Sequence, residues 1–460
     1  MMDLKGKKVL VVGLGKSGLA AALFLRRKGA QVTVSDLRSA EALAKDIPAL
    51  LAEGIMVEAG GHGLLTFRRQ DLIVVSPGVP LDTPELAQVR SFGLPVIGEL
   101  ELAARFLEGS MLAVTGSNGK TTTTALLGEI LASAGIPTLV GGNIGVPVVE
   151  LIEKSAANTW SVLEVSSFQL ESTVEFHPRI AVILNITPDH LDRHGTFQNY
   201  VRAKERIFLA QTADDFAIVN ADNPPAADAA TRTIARTYFF SNTHPVDQGA
   251  WVDSGNLVYR AAKDAPIETV MPLAAIPLKG AHNVENVLAA VVAARLAGVP
   301  APAIRSAIQA FHAVEHRLEY VATFNDVEFY NDSKATNVDA TAKAIAAFPS
   351  GVHLILGGKD KGSPYTVLNQ LLKERVRAVY TIGSAAAKIE AQLAGIVPIR
   401  SCQTLEKAVS EATAAARPGD VVLLAPACSS FDQFDNYEQR GTVFKQLVND
   451  LRGFKTWQPE

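Results

Sequence analysis

The chain holds only two cysteines, Cys402 and Cys428, in 460 residues. Two cannot build a disulfide framework, and neither has C-x-x-C spacing, so a reducing, cytoplasmic setting is expected. A basic tract of five or more residues is also missing, and the net charge is −4. Nucleic-acid binding through phosphate attraction therefore has little support. No apolar run reaches 18 uninterrupted residues; the longest approach, Val287 to Val299, contains Arg295. No membrane span is expected. The apolar run after Lys5, Lys7 and Lys8 stops at Gly13, too short for a signal sequence. No heptad pattern stands out, so a monomer is expected. What remains is a globular composition, 48% hydrophobic and 20% charged. The length suits about three cores at ~150 residues each.

Against this background Leu112-Ala-Val-Thr-Gly-Ser-Asn-Gly-Lys-Thr-Thr-Thr-Thr124 stands out. Leu112 to Thr115 reads as a buried strand, Gly116 to Gly119 as a tight loop, and Ala125 to Leu131 as a helix. Such a loop leaves free backbone N–H groups at the positive end of a helix dipole, a place for phosphate. Lys120 is placed to reach β- and γ-phosphate oxygens, and Thr121 to ligate Mg²⁺ through its hydroxyl. The loop departs from G-x-x-x-x-G-K-[ST], because Val114 stands where the first glycine is usual. A plain turn would not need Gly-Lys-Thr in this order. Nucleotide phosphate is the expected ligand.

Upstream, Lys8 to Val12, Leu19 to Lys28 and Gln31 to Ser35 read as strand, helix, strand. Gly13, Gly15 and Gly18 match G-x-G-x-x-G, with Asp36 near the place of a ribose-binding acid. The motif admits a dinucleotide or another nucleotide diphosphate; Arg38 suits an anionic ligand better than a 2′-hydroxyl. Strand Leu72 to Val75 runs into Ser76-Pro-Gly-Val79, where open α/β sheets place ligands. The polar break at Gly98-Glu99 suggests a boundary.

Downstream, Glu164 interrupts the apolar strand Trp160 to Val165 beside the phosphate loop. It is a metal-ligand candidate, with an edge-strand acid facing water as the alternative. Asp189, His190, Asp192 and His194 form a dense polar cluster after strand Ile180 to Leu184. In helix Phe197 to Ala210, Lys204 reads most simply as a solvated surface lysine. Residues 212 to 280 hold short strands and Pro-rich turns and carry no functional signal. His282, Asn283 and Asn286 open an amphipathic helix to Leu296, and capping explains one of the three. From Val327 onward, strand, polar loop and helix recur, implying another parallel sheet.

Together, Thr115 to Thr122, Glu164 with Ser166-Ser-Phe-Gln169, Asn185 to His194, His282 to Asn286, His316-Arg317 and Asn331 to Asn337 resemble the Mur ligases. These are the ATP-dependent amino-acid ligases of peptidoglycan precursor synthesis. The loops Ser76-Pro-Gly78 and Pro426 to Phe434 look like the D-glutamate-adding branch. The resemblance implies an α/β fold of three domains: a Rossmann-like UDP-substrate domain (1–98), a P-loop-type mononucleotide-binding ATP domain (99–312) and a Rossmann-like amino-acid domain (313–460). It implies an acid–amino-acid ligase that joins D-glutamate to UDP-N-acetylmuramoyl-L-alanine through an acyl phosphate, using ATP and two Mg²⁺ ions and no NAD. By position, Lys16, Ser17, Asp36, Arg38, Gly78, Asn143 and His190 would contact the UDP substrate. Gly116, Ser117, Asn118, Gly119, Lys120, Thr121, Thr122, Asn286, Arg317 and Asp332 would hold ATP. Thr121, Glu164, His190 and a carbamylated Lys204 would hold metal, with Lys120, Glu164, His190 and Lys204 catalytic. Thr336, Lys361, Ser430, Phe431 and Tyr437 would take D-glutamate. An NAD-dependent dehydrogenase would leave the phosphate loop and Glu164 without a role. Another ligase of the same superfamily, such as a folylpolyglutamate synthase or a different Mur enzyme, is the nearer rival.

Overall fold

The computed structural model describes residues 2–311 and 315–453. The expected boundary between 312 and 313 lies outside the described residues, as does the third domain from 454 onward. The described residues form two compact units. One runs to Leu273 and takes in Glu285–Ile308; the other joins Ala274–Val284 to the residues from Gln309 onward.

The first unit opens with a five-stranded parallel sheet. Strand Lys8–Val12 lies at its centre between Gln31–Asp36 and Leu72–Val75, with Met56–Ala59 and Val96–Gly98 at the edges. The period of two explains the layers. Val9 and Val11 bury against Phe24 and Leu25 of helix Lys16–Arg27, while Leu10 and Val12 bury with Phe67, Leu86 and Val89 on the other face.

In the nine-stranded second sheet of this unit, strand Ser110–Thr115 lies between Trp160–Glu164 and Ile180–Ile183. Trp160–Glu164 is itself covered by Thr138–Gly142, so the edge-strand alternative for Glu164 fails. The short strands expected between 212 and 280 complete the sheet. Phe216–Asn220 and Arg236–Ser241 continue it in parallel, and Gly249–Asp253, Asn256–Arg260 and Glu268–Pro272 close it, the last two pairings antiparallel. The helix expected to be amphipathic, Ala281–Leu296, is instead buried all round from Val287 to Ala294. An alanine- and valine-rich helix with no polar face belongs inside a large core.

Glu99, expected as part of a polar break at Gly98-Glu99, is not exposed. Glu99 and Glu101 are both buried, in helix Glu99–Ala104, and each holds backbone from another part of the unit. Glu101 accepts from the N–H groups of Val174, Glu175 and Phe176, and its charge is met by Arg105. Glu99 Oε1 accepts from Val149 N–H at 2.9 Å. These acids substitute for water at loop backbone that the packing covers.

In the second unit a six-stranded sheet runs Glu319–Phe324, Val327–Asn331, Val421–Leu424, Val352–Gly357, Val376–Ile382, Ile399–Gln403. It is parallel except for the first pair, a hairpin the sequence reading passed over. Asn325 and Asp326 both take positive φ, 51° and 59°, which suits a two-residue hairpin turn.

Burial pushes the Glu99 carboxyl up from its ordinary 4.5 to about 7, against the pull of its backbone donors. The fold therefore binds a proton that the unfolded chain releases at lower pH. Unfolding free energy should fall as pH rises from about 4.5 to about 7, and Glu99→Gln should flatten that slope. Chemical denaturation at stepped pH checks it; an unchanged slope in the variant would refute the assignment.

Candidate active site

The N-terminal glycine turn opens onto a cavity of about 420 Å³. Lys16, Ser17, Asp36, Gly78 and Asn143 of the expected UDP set line it, with Ser76, Val79 and Gln169. Close packing of the turn is why glycine is needed: a Cβ on Gly18 would lie 1.9 Å from the Gly13 carbonyl oxygen. Asp36 does more than wait for a ribose. Its Oδ2 accepts from Leu14 N–H at 2.6 Å, and its carboxylate takes the Arg38 guanidinium. Burial opposes the charge on Asp36, but Arg38 and the backbone donors overcome it and hold the carboxyl at about 2. Lys16 Nζ donates to the Gly145 carbonyl, tying this turn to the Gly141–Gly145 loop.

That loop leads to the phosphate site. Asn143 Nδ2 donates to Glu164 Oε1 at 2.9 Å, and Thr121 Oγ1 donates to Glu164 Oε2 at 2.8 Å. One buried acid thus joins the loop beside the first cavity to the start of helix Lys120–Ser133. Gly119 caps that helix at φ +88°, where a Cβ would sit 2.2 Å from Asn286 Oδ1. Asn185 braces the loop from beneath: its Oδ1 accepts from Asn118 N–H, and its carbonyl accepts from Ser117 N–H. Lys120 Nζ donates to the carbonyls of Gly116 and Ser117 at 2.8 and 2.9 Å, held above the loop that it would serve. Thr122 is buried in the first turn of the helix.

Lys204 overturns the reading as a solvated surface residue. It is 1% exposed, its Nζ donates to the Gly116 carbonyl at 2.7 Å, and it stands 4.7 Å from the Tyr200 ring centroid. Helix Phe197–Glu205 turns this face inward with Tyr200 and Val201, and a lysine in their company is carried into the core. Burial, and then the charge of Lys120, pull its ammonium well below the ordinary lysine range. His190, in a left-handed backbone conformation, stands edge-on to Phe168 at 5.0 Å. It does not line the 420 Å³ cavity, and neither does Arg38. The sequence reading gave no separate role to Tyr200, whose hydroxyl meets Ser117 Oγ at 3.0 Å. Nor did it assign one to Arg193, which donates to the carbonyls of Gly78 and Val79.

For metal, Glu164 and the Thr121 hydroxyl are hard oxygen donors side by side. Among the described residues no three His, Cys, Asp or Glu side chains group to hold an ion alone. A two-ligand site completed by phosphate oxygens and water is what Mg²⁺ prefers.

In the second unit, Asp332 is fully buried, and burial lifts its carboxyl to about 6 although Arg317 pulls the other way. Arg317 Nε is buried and has no hydrogen-bond partner among the described residues. Lys361 Nζ donates to Thr336 Oγ1 at 3.4 Å, bringing two of the expected D-glutamate residues together. Tyr437 accepts from Lys334 Nζ at 3.1 Å, and Ser430 is buried. Phe431 is 69% exposed and so does not line an enclosed pocket. The sequence reading missed Arg440, fully buried, which donates to the carbonyls of Ser333 and Cys428.

Three family models match the chain: the Mur ligase MurD-like N-terminal domain over 7–98, the Mur ligase middle domain over 114–294, and the Mur ligase glutamate ligase domain over 316–428. A UDP-N-acetylmuramoylalanine--D-glutamate ligase of Acidobacterium capsulatum is 70% identical, with 99% of each chain covered. One from Koribacter versatilis is 59% identical over 98% of this chain and 99% of its own. Among solved structures, a MurF ligase of Thermotoga maritima in complex with ADP shares the fold at TM-score 0.60 and 18% identity, covering 98% of this chain and 100% of its own. A pseudomurein peptide ligase of Methanothermus fervidus does so at 0.61 and 20%, covering 97% and 100%.

Replacing Gly119 by alanine should weaken binding of a nucleoside triphosphate by more than about tenfold, since the left-handed turn and the Asn286 contact both resist a Cβ. Calorimetric titration reads it; wild-type affinity would show that the loop yields.

Proposed function

The chain belongs to the Mur ligase family, and from that premise we propose how its residues divide the work. The activity is the ATP-dependent addition of D-glutamate to UDP-N-acetylmuramoyl-L-alanine in peptidoglycan precursor synthesis, as full-length relatives at 70% and 59% identity establish. The observation that carries the residue assignments is the buried Glu164. It is hydrogen-bonded at once to the phosphate helix and to the loop beside the N-terminal cavity.

A carboxylate is a poor electrophile, so the alanine carboxylate is first phosphorylated and the amine of D-glutamate then attacks the acyl phosphate through a tetrahedral intermediate. The phosphoryl step depends on positioning and charge neutralisation. Lys16, Ser17, Asp36, Arg38, Gly78, Asn143 and His190 hold the UDP substrate. The backbone of Gly116–Gly119 cradles the phosphates, Lys120 swings from its loop carbonyls to the γ-phosphate, and Thr122, Asn286, Arg317 and Asp332 hold the rest of ATP. Thr121 and Glu164 would hold the first Mg²⁺, and His190 with Lys204 the second; bound Mg²⁺ would neutralise the phosphate oxygens. Lys204 would serve there as its carbamate. Its burial, which favours a neutral and therefore nucleophilic amine, supports that reading. Thr336, Lys361, Ser430, Phe431 and Tyr437 take D-glutamate, Lys361 supplying charge for a dicarboxylate.

Three domains are proposed, with boundaries near 98/99 and 312/313. Among the described residues no helix is long and apolar enough to cross a membrane. Both cysteines are free and buried, in keeping with a reducing cytoplasm. A monomer is the proposed state.

ADP release with ATP and the UDP substrate should respond to D-glutamate and not to L-lysine, meso-diaminopimelate or L-alanine; a response to another acceptor would reassign the third domain. Lys120→Ala should abolish that release while leaving UDP-substrate binding largely intact, and weakened UDP binding with normal turnover would contradict the division of sites.

Lys204→Ala should be nearly inactive and recover in part when short-chain carboxylates are supplied in excess. Full activity of that variant would remove Lys204 from the site.

A further inference from the structure

Two loops of the second unit carry most of the residues assigned to D-glutamate. One follows strand Val352–Gly357 and bears Lys361; the other follows Val421–Leu424 and bears Ser430. Backbone stitches them together. Gly357 N–H donates to the Pro426 carbonyl at 2.9 Å, Lys359 N–H to the Ser429 carbonyl at 2.8 Å, and Ser429 N–H returns to Lys359 at 3.2 Å. The isolated bridge at Lys359 stops two residues short of Lys361. Beyond that point the hold passes to side chains.

Tyr365 is 1% exposed, and its hydroxyl donates to Asp360 Oδ1 at 2.8 Å while lying 2.9 Å from Cys428 Sγ. Proton counting fixes the directions. An ionised Asp360 can only accept, so the tyrosine proton goes there and the buried Cys428 thiol donates to the phenolic oxygen. Burial holds that thiol protonated, raising it to about 11. Asp360 Oδ2 in turn takes Lys388 Nζ at 2.7 Å, from helix Ala386–Leu393. Lys388 also reaches the Ser363 carbonyl at 3.4 Å. One hydroxyl therefore touches both loops, at the residue before Lys361 and two residues before Ser430. Asp360, Tyr365 and Lys388 have no part in the site described above.

We propose that Tyr365, backed by Asp360 and Lys388, is a positioning residue that sets the spacing between Lys361 and Ser430 and thereby governs affinity for D-glutamate. The inference rests on the reading that these two loops take the amino acid. A dicarboxylate with an amine that must meet an acyl phosphate tolerates little misplacement, so a loop free to drift loses substrate affinity before anything else.

Tyr365→Phe keeps the buried ring and removes the pin. The KM for D-glutamate should rise about tenfold, with kcat and the KM values for ATP and the UDP substrate within about twofold. Lys388→Met should move KM in the same direction, and Lys388→Arg should restore it. An unchanged D-glutamate KM in Tyr365→Phe, or a rise shared by all three KM values, would overturn the proposal. On a Lys361→Met background the Tyr365 change should add little; full multiplication of the two losses would also overturn it, since the pin would not be acting through Lys361. A wild-type enzyme whose ADP release ignores D-glutamate would end the proposal together with its parent reading, and is told apart because no variant is needed to see it.

Discussion

Asn185 is the side chain on which the phosphate loop depends. Its amide pairs with both the N–H and the carbonyl of Asn118, and its own backbone carbonyl accepts from Ser117. The loop from Gly116 to Gly119 brings only the Ser117 and Asn118 side chains, and Ser117 Oγ is tied outward to Thr187 and Tyr200, so neighbouring segments set its shape. The next strand over does this, because Ile180–Ile183 pairs directly with Ser110–Thr115 and ends at the same level. The buried Lys204 adds a further tie at the Gly116 carbonyl. The Ser117 and Asn118 N–H groups and the Gly116, Ser117 and Asn118 carbonyls are all engaged, so the loop is held in one shape. Binding then costs little reorganisation.

From that fixed point the site spreads by single shared residues. Glu164 links the phosphate helix to Asn143, and the loop of Asn143 accepts Lys16 through Gly145. Arg193, from the segment following Asn185, reaches back to Gly78 and Val79 on the wall of the N-terminal cavity. The N-terminal and central sheets share one continuous apolar core. These links join the N-terminal cavity to helix Lys120–Ser133 within one compact unit.

Much of this was legible in the sequence. Alternating valines gave the strands, glycines gave the turns, and an acid at the end of an apolar strand marked Glu164. What escaped reading has a common physical cause. Lys204 looked like a surface lysine because sequence records a residue's type and not the direction of its helix face. Glu99 looked like part of a polar break for the same reason, although it serves the backbone N–H of residue 149, as the nearby Glu101 serves 174–176. Short strands between 212 and 280 were legible, but not that they extend the central sheet, because pairing partners and not composition decide that. The hairpin at Asn325-Asp326 did carry a signal, two turn-forming residues between β-branched and aromatic runs. It was overlooked, not absent.

The second unit shows how a binding loop is held when its backbone ladder has run out. Parallel strands deliver their functional loops at the carboxyl ends, and those ends are where regular hydrogen bonding stops. Fixing such loops requires polar side chains that are themselves buried, and burial is costly unless each is fully satisfied. Arg440 meets that condition with the carbonyls of Ser333, Cys428 and Ser429, and Tyr365 meets it with Asp360 and Cys428. Burial draws even the Arg440 guanidinium down to about 10, a measure of how far from water this framework lies. A polar network so placed contributes order to the loops more than stability to the fold, because the geometry it enforces is the only one in which all of its members are paired.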